Sequence, residues 1–309
     1  QNDEATHIQA TSDGGYIISG TTESYGFGGS DIWVIKTDDS GLIEWNNCFG
    51  SVYDEIGGQA KETEDGGFVI IGSKHMIGDE SNDVWMIRTN SQGDSLWTKT
   101  YGGIAFDSGT SILVNDDGGF VILGSTESYG NGDSDIWLIK TDSYGSEEWS
   151  RTYGSGSKDI GQSILTTYDG GHLIGYKIES FGLGGTSIGL LRVDANGNEL
   201  WTRTIGGSTA ISSSSFQKVS DDQYVMVCSR FNNGNNAYDT YLIKINDSGD
   251  ILWDKTYGGS NSDYGYSVIN TLDSGFAILG STHNFGNGSK NSSDIWLIKT
   301  DSEGFTTGF

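Results

Sequence analysis

The sequence predicts an all-β protein, a six-bladed β-propeller of four-stranded antiparallel blades, from three observations. One string recurs six times at a 52-residue period, each copy carries a tight-turn signature at a fixed place, and the apolar runs are too continuous for a sheet with one wet face. The turn stands at Asp13-Gly14-Gly15, Asp65-Gly66-Gly67, Asp117-Gly118-Gly119, Asp169-Gly170-Gly171, Asp221-Asp222-Gln223 and Asp273-Ser274-Gly275, each step being 52 residues. A second landmark, of the Asp-Ile-Trp type, begins at Asp31, Asp83, Asp135, Ser187, Asp239 and Asp294; its last step is 55 because the sixth copy carries a three-residue insertion. Trp45, Trp97, Trp149, Trp201 and Trp253 form a third landmark, again 52 apart. The register runs through the whole chain, so the expected organisation is one propeller over 1–309, with repeats at about 1–52, 53–104, 105–156, 157–208, 209–260 and 261–309.

Each repeat reads as four short strands, a to d. In the third they are Thr110 to Asn115, Gly119 to Thr126, Asp135 to Thr141 and Glu147 to Gly154. Asp-Gly-Gly joins a to b because glycine supplies the positive φ of a tight hairpin, and Asp142-Ser143-Tyr144-Gly145 does the same between c and d. Strands b and c are apolar at consecutive positions, which requires cover on both faces, as when blades pack against one another. Radial packing also leaves only short, protected edges. A β-solenoid is the rival, but its coils are usually shorter and it needs capping ends. The sixth repeat reaches Phe309 about where its strand d should begin, so Gly304 to Phe309 is expected to form a shortened outer strand in which Phe309 fills part of the space the other repeats give to Trp.

Composition bounds the function. A chain of 309 residues, 34% hydrophobic, buries about three quarters of its unfolded surface and is not a disordered polymer. Seventeen Lys and Arg against 42 Asp and Glu give a net charge of −25, which disfavours nucleic-acid phosphates and anionic membranes. No stretch approaches the ~18 apolar residues of a membrane-spanning helix, and the first residues lack the basic and apolar segments of a signal peptide. The expected partners are protein or carbohydrate at a cell surface, with no nucleic acid and no membrane insertion. Cys48 and Cys228 make neither a disulfide framework nor a metal-ligand cluster.

The strings "LWTKTYGG", "DGGFVILGSTES" and "DIWLIKTDSYG" together resemble the propeller repeats of secreted and cell-surface proteins of bacteria and archaea, relatives of the quinoprotein-like and WD40-like repeats. The resemblance covers all six repeats. It implies an extracellular or cell-surface location, with a signal peptide removed before Gln1. For function it implies little, since such modules serve as adhesion, scaffold or carbohydrate-binding parts as well as enzymes.

Residues that chemistry could use are mostly absorbed by the repeat. All nine tryptophans fall on two positions, Trp33, Trp85, Trp137 and Trp296 on strand c and the five landmark residues on strand d, and are expected to be core. Lys36, Arg88, Lys140, Arg192, Lys244 and Lys299 share one position; Lys99, Arg151, Arg203 and Lys255 share another; Arg230 is the arginine clearly out of register. The stretch Asn261 to Val268 has the outline of a sialidase Asp-box but lacks its closing Trp. His7, His75, His172 and His283 lie in different repeats without metal or general-base spacing, and no nucleophile elbow is present. No catalytic residue and no cofactor is therefore expected.

What remains is the side of each blade that carries the b–c and d–a connections. One b–c position holds Glu23, His75, Glu127, Glu179, Phe231 and His283; two residues on come Tyr25, Ile77, Tyr129, Phe181, Asn233 and Phe285. With Arg230, these acids, imidazoles and aromatics are the candidate ligand-binding residues, either holding sugar rings or a protein loop, or folding back as plugs and solvated charges. Asp107, Asp159 and Asp263 in the d–a connection are candidate Ca²⁺ ligands, or turn caps. Sequons stand at Asn246, Asn287 and Asn291 and would be glycosylated where the compartment allows. Repeats four and five depart together: Gly189 replaces the strand-c Trp, "SSSSF" replaces D-x-G-x-S, and "FNNGNNAYD" replaces the aromatic loop. That sector is read either as drift or as a binding site using Arg230, Phe231 and Asn233. The expected function is a non-catalytic extracellular binding or structural module, for adhesion, surface scaffolding or glycan and protein recognition. The alternative is a glycan-active hydrolase or lyase with its site at the axial mouth.

Overall fold

The computed structural model describes residues 2–78, 81–179, 186–206, 211–285 and 293–306. It is a six-bladed β-propeller of antiparallel blades, with no helix among the described residues. The chain divides into two compact units, Gln1–Gly156 and Ser157–Phe309, of three blades each.

In the first unit, blade one comprises β1 (Asp3–Ala10), β2 (Tyr16–Thr22), β3 (Asp31–Thr37) and β4 (Ile43–Phe49). Blade two comprises β5 (Ile56–Glu62), β6 (Phe68–Met76), β7 (Ser81–Thr89) and β8 (Ser95–Tyr101), and blade three β9 (Asp107–Val114), β10 (Phe120–Thr126), β11 (Asp135–Thr141) and β12 (Glu147–Tyr153). In the second unit, blade four comprises β13 (Lys158–Thr166), β14 (His172–Glu179), β15 (Thr186–Val193) and β16 (Glu199–Ile205). Blade five comprises β17 (Ile211–Ser220), β18 (Gln223–Asn232), β19 (Ala237–Asn246) and β20 (Ile251–Tyr257), and blade six β21 (Asp263–Asn270), β22 (Phe276–Thr282) and β23 (Asp294–Thr300). Strands pair in chain order within every blade. In blade six Thr306 bridges antiparallel to Thr300, the start of the expected shortened outer strand; Phe309 lies outside the described residues.

The a–b turn is built by its own aspartate. Asp13 Oδ1 accepts from Thr11 Oγ1 at 2.5 Å and from the Gly15 N–H at 3.0 Å, while Gly14 sits at φ +90°, a region that favours glycine. The strand-c cation then clamps that turn: Lys36 Nζ reaches Asp13 at 2.7 Å, Arg88 reaches Asp65 at 2.5 Å, Lys140 Asp117 at 3.0 Å, Arg192 Asp169 at 2.7 Å and Lys299 Asp273 at 2.8 Å. The hydrogen-bonded ammonium of Lys36, with Thr11 and Gly15, holds the Asp13 carboxyl below the usual carboxylate range.

Adjacent blades share cores. Val69, Ile71, Val84 and Met86 of blade two pack with Ile112, Phe120 and Ile122 of blade three, and Leu173, Ile188 and Leu190 of blade four with Tyr224, Met226 and Ile243 of blade five. The strand-d tryptophans are half-buried rather than fully core, because strand d is outermost. Their rings meet the strand-b Phe of the next blade edge-on or tilted, Trp45 on Phe68 at 5.6 Å and Trp253 on Phe276 at 6.0 Å. On the a strands, Gln59 joins three blades: its amide nitrogen donates to His7 Nε2 at 2.9 Å and its oxygen accepts from Ser111 Oγ and the Ile112 N–H, both at 2.9 Å. That arrangement requires a neutral His7, whose pKa burial, helped by Lys61, lowers to about 4.

Blade four is repacked. In blades one, two, three and six the strand-c Trp faces a strand-b glycine across the ladder, as Gly20 with Trp33, Gly72 with Trp85, Gly124 with Trp137 and Gly280 with Trp296. In blade four the partners are Tyr176 and Gly189, and the Tyr176 ring fills the space that a Gly189 side chain would enter. The lost indole leaves no hole. Tyr176 is buried, and burial, with Asp159 and Glu199 nearby, pushes its phenol up to about 12.

Candidate functional site

In blades one, three and six, strand b ends in a threonine whose hydroxyl accepts the N–H two residues on: Ser24 on Thr22 at 3.1 Å, Ser128 on Thr126 at 3.1 Å, Asn284 on Thr282 at 2.9 Å. This turn sets the loop aromatic against the strand-c Trp: Tyr25 on Trp33 at 5.6 Å, Tyr129 on Trp137 at 5.2 Å, Phe285 on Trp296 at 5.1 Å. All three loop rings remain exposed, so they both plug the blade and present a free face. Tyr129 is further fixed by donating to Gly102 O at 2.8 Å, beside a cleft of about 540 Å³ that also touches Trp137, Glu147 and Arg151.

The other candidates stand separately. Glu23 and Glu127 are exposed, Glu23 accepting from the Asn2 N–H at 3.2 Å. The His75 ring lies 4.6 Å from Tyr53. Glu179 pairs with Lys177 at 2.6 Å, which holds its carboxyl below the usual range. His283 donates to Ser262 O at 2.9 Å. Phe181, Asn287 and Asn291 lie outside the described residues; Asn246 caps the c–d turn of blade five, its Oδ1 accepting the Ser248 and Asp250 N–H groups at 3.1 and 2.8 Å.

Asp107, Asp159 and Asp263 are buried. Asp107 Oδ2 accepts from the Gly103 N–H at 2.9 Å and Ser128 Oγ at 2.7 Å, and Asp263 Oδ2 from the Gly259 N–H at 2.9 Å and Asn284 Nδ2 at 2.6 Å. These two tie the d–a connection to the b–c loop of their own blade. Among the described residues no three His, Cys, Asp or Glu side chains gather as metal ligands.

Blade five brings three of the off-register residues together. In blades one, three and six the first strand-a acid pairs in register with the last strand-b threonine, as Asp263 with Thr282 or Asp107 with Thr126; in blade five the positions hold Ile211 and Arg230, and blade two also has a cation at the latter position, Lys74, lying over Trp85 at 4.6 Å. The guanidinium lies over the Tyr241 ring at 4.9 Å. Arg230, Phe231, Asn232, Asn233, Gly234, Asp239 and Thr256 line a cavity of about 370 Å³. Asn232 Nδ2 donates to Asp239 Oδ2 at 3.0 Å, while Asp239 Oδ1 is buried without a hydrogen-bond partner. Asp239 Oδ1 and Asp263 Oδ2 crowd one point, the place a Cβ of Gly258 would take, Asp263 Oδ2 at 3.0 Å from it. Phe231, Tyr238, Tyr264 and Tyr266 form an aromatic row with ring separations of 5.2, 5.4 and 6.5 Å. Sequence reasoning picked out Arg230, Phe231 and Asn233 because this loop departs from the residue types of the other repeats, and missed Asp239 because it keeps the type of its repeat position.

No protein-family model matches the sequence, and no curated protein does. Among solved structures, the K499G mutant of NanB sialidase from Streptococcus pneumoniae is similar at a TM-score of 0.60 and 11% identity, over 95% of this chain and 67% of that one. NanB with Optactamide gives 0.61 and 11%, over 97% and 68%. Hydrazine synthase of Kuenenia stuttgartiensis gives 0.59 and 11%, over 90% and 76%. At such identity the likeness is one of fold, and the resemblance to quinoprotein-like and WD40-like repeats likewise holds at the level of the propeller. The comparison corrects the expectation of a non-catalytic module. That expectation rested on the lack of a visible catalytic motif, yet this fold is one that NanB uses as a sialidase, so a regular repeat sequence is no ground for excluding an enzyme.

Proposed function

We propose that the protein is a glycan-active hydrolase whose site is the blade-five cavity. The carrying observation is the convergence of the Asp239 and Asp263 carboxylates, with Asp239 lining a cavity beside Arg230 and Phe231. Glycoside hydrolysis commonly uses two carboxyl groups flanking the scissile bond, one giving a proton to the leaving oxygen and one stabilising the positive charge that develops on the sugar. A cavity of about 370 Å³ is within the range of small-ligand sites, and an aromatic face beside it suits the apolar face of a sugar ring. Asp239 faces the cavity and supplies the reacting carboxyl. Asp263 stands behind it, its oxygens held by Gly259, Thr282 and Asn284. Arg230 donates hydrogen bonds to sugar or leaving-group oxygens.

A converging acid pair also occurs in blades one and two, Asp31 with Glu55 about Gly50 and Asp83 with Asp107 about Gly102. Blade five differs because the pair opens beside a guanidinium. The test is release of reducing sugar from a panel of aryl glycosides and polysaccharides by the purified chain. Asp239→Asn should lower the rate by about 10²-fold or more, while Asp31→Asn, the same repeat position in blade one, leaves it unchanged. Absence of hydrolysis across the panel, or full activity in Asp239→Asn, would overturn the proposal.

A further inference from the structure

Blades five and six carry four aromatic side chains at positions where no other repeat has a Phe, Tyr or Trp. Phe231 stands where blades one and three have Glu23 and Glu127, and Tyr238 where they have Ser30 and Ser134. On β21, Tyr264 replaces Glu4 and Ser108, and Tyr266 replaces Thr6 and Thr110. Folding gathers these four departures into one row that starts at the blade-five cavity. Phe231 lines the cavity and meets Tyr238 edge-on at 5.2 Å; Tyr238 and Tyr264 lie 5.4 Å apart with 29° between their planes, and Tyr264 and Tyr266 6.5 Å apart with 2°. The Tyr238 N–H donates to Ser262 Oγ at 3.2 Å, which ties the start of β19 to the connection leading into β21. At the far end, the Tyr266 hydroxyl and Ser281 Oγ share a hydrogen bond of 2.9 Å that fixes the last ring.

Packing does not call for these rings, since blades one and three are built with Glu, Ser and Thr at the same places. Nor are the rings withdrawn into a core: Phe231, Tyr238 and Tyr264 are half-buried and Tyr266 is 50% exposed. Several lapses of a repeat that meet in space point to a demand other than folding. We propose that the row is a track for a glycan chain, so that the blade-five site takes a chain of several uncharged sugar units rather than a single glycoside. This rests on the reading of that cavity as a glycan site and adds the length and charge of the substrate. A sugar ring packs its apolar C–H face on an aromatic ring, and tyrosine adds a hydroxyl for the sugar's own hydroxyls. The steps between the rings are comparable to the advance from one sugar unit to the next, so successive units can each meet a ring. On a protein of net charge −25, a track of uncharged rings favours a neutral chain over an acidic one.

Calorimetric titration tests this with cello-, xylo-, manno- and laminari-oligosaccharides from disaccharide to hexasaccharide, and with oligogalacturonates as the acidic series. The protein is the full chain carrying Asp239→Asn, so that a chain is bound without being cut. In at least one neutral series the affinity should rise about tenfold or more from disaccharide to hexasaccharide. Tyr264→Ala and Tyr266→Ala, each checked by thermal melting for an unchanged transition, should reduce that rise to about threefold or less while leaving the disaccharide affinity within about twofold. Tyr266→Phe keeps the ring and should keep the rise. Affinity independent of length in every series, a rise that survives both alanine substitutions, or no binding at all would overturn the track, and tighter binding of oligogalacturonates than of every neutral series would overturn the uncharged chain. The two readings fail separately: hydrolysis of aryl glycosides by the unsubstituted chain without length-dependent binding removes the track alone, and length-dependent binding without hydrolysis removes the hydrolase alone.

Discussion

The exchange of partners in blade four yields a quantitative prediction. Four blades set a glycine on strand b against a tryptophan on strand c, and blade four sets Tyr176 against Gly189. Tyr176→Gly alone removes a buried ring and leaves glycine opposite glycine, at about 3–5 kcal/mol for the lost contacts and cavity. Gly189→Trp alone drives an indole into the volume the Tyr176 ring occupies, because even a Cβ at Gly189 overlaps that ring; overpacking of this kind costs about 1–3 kcal/mol or more. The double substitution Tyr176→Gly with Gly189→Trp restores the pair used by the other blades, and its stability should lie within about 1–2 kcal/mol of the wild type. The coupling between the sites should therefore be at least about 2 kcal/mol, in the upper part of the range for residues in contact. Urea unfolding of the four proteins, read by fluorescence and circular dichroism, measures it. A double variant as unstable as the sum of the two single ones would refute the reasoning.

Two further predictions concern the turns and the a strands. Ser274 holds φ +65°, where Gly14, Gly66, Gly118 and Gly170 stand in other blades, so Ser274→Gly should stabilise by ~0.5–1 kcal/mol in a thermal melt, and a destabilised variant would show that this turn carries no strain. His7 has a folded-state pKa near 4 against an unfolded value of about 6.5, so the unfolded chain binds the extra proton between those values; the stability due to His7 is present above about pH 6.5 and is lost as pH falls toward 4. His7→Gln should flatten the melting temperature across that window, and an unchanged pH profile would remove His7 from the account.

Strand c was legible almost to the residue, because its apolar run is continuous and bounded by polar residues: Asp135 to Thr141 was expected and is observed. Strand a was read as starting at Thr110 and starts at Asp107, since Asp-Ser-Gly-Thr carries no apolar period and its pairing comes from the ladder alone. The candidate ring of loop residues was legible as positions but not as a site. Glu23, His75, Glu127 and His283 occupy equivalent places on different blades and meet different neighbours, which a position along a repeat does not reveal. The expectation of a non-catalytic module failed for a related reason: it took regularity of sequence as evidence about chemistry, whereas a single blade can change its chemistry while the others hold the scaffold.

Six copies of one blade supply their own comparison, and the ladder says which positions must be compared in pairs. Blade four changes both members of a cross-strand pair and conserves what matters to the blade, one large ring against one glycine, so the change is neutral repacking. Blade five also changes both members of a pair, but Ile211 and Arg230 conserve neither the hydrogen bond nor the polarity of Asp263 and Thr282. A Thr–Asp pair ties the loop down internally, with the hydroxyl on the carboxylate; a guanidinium in its place, stacked on Tyr241 and lining a cavity, contributes nothing equivalent to the loop. Compensated changes mark packing. The uncompensated change in blade five sets the Arg230 guanidinium beside a cavity, and this separates Arg230 from Gly189 although the sequence alone presents both as lapses of the same repeat.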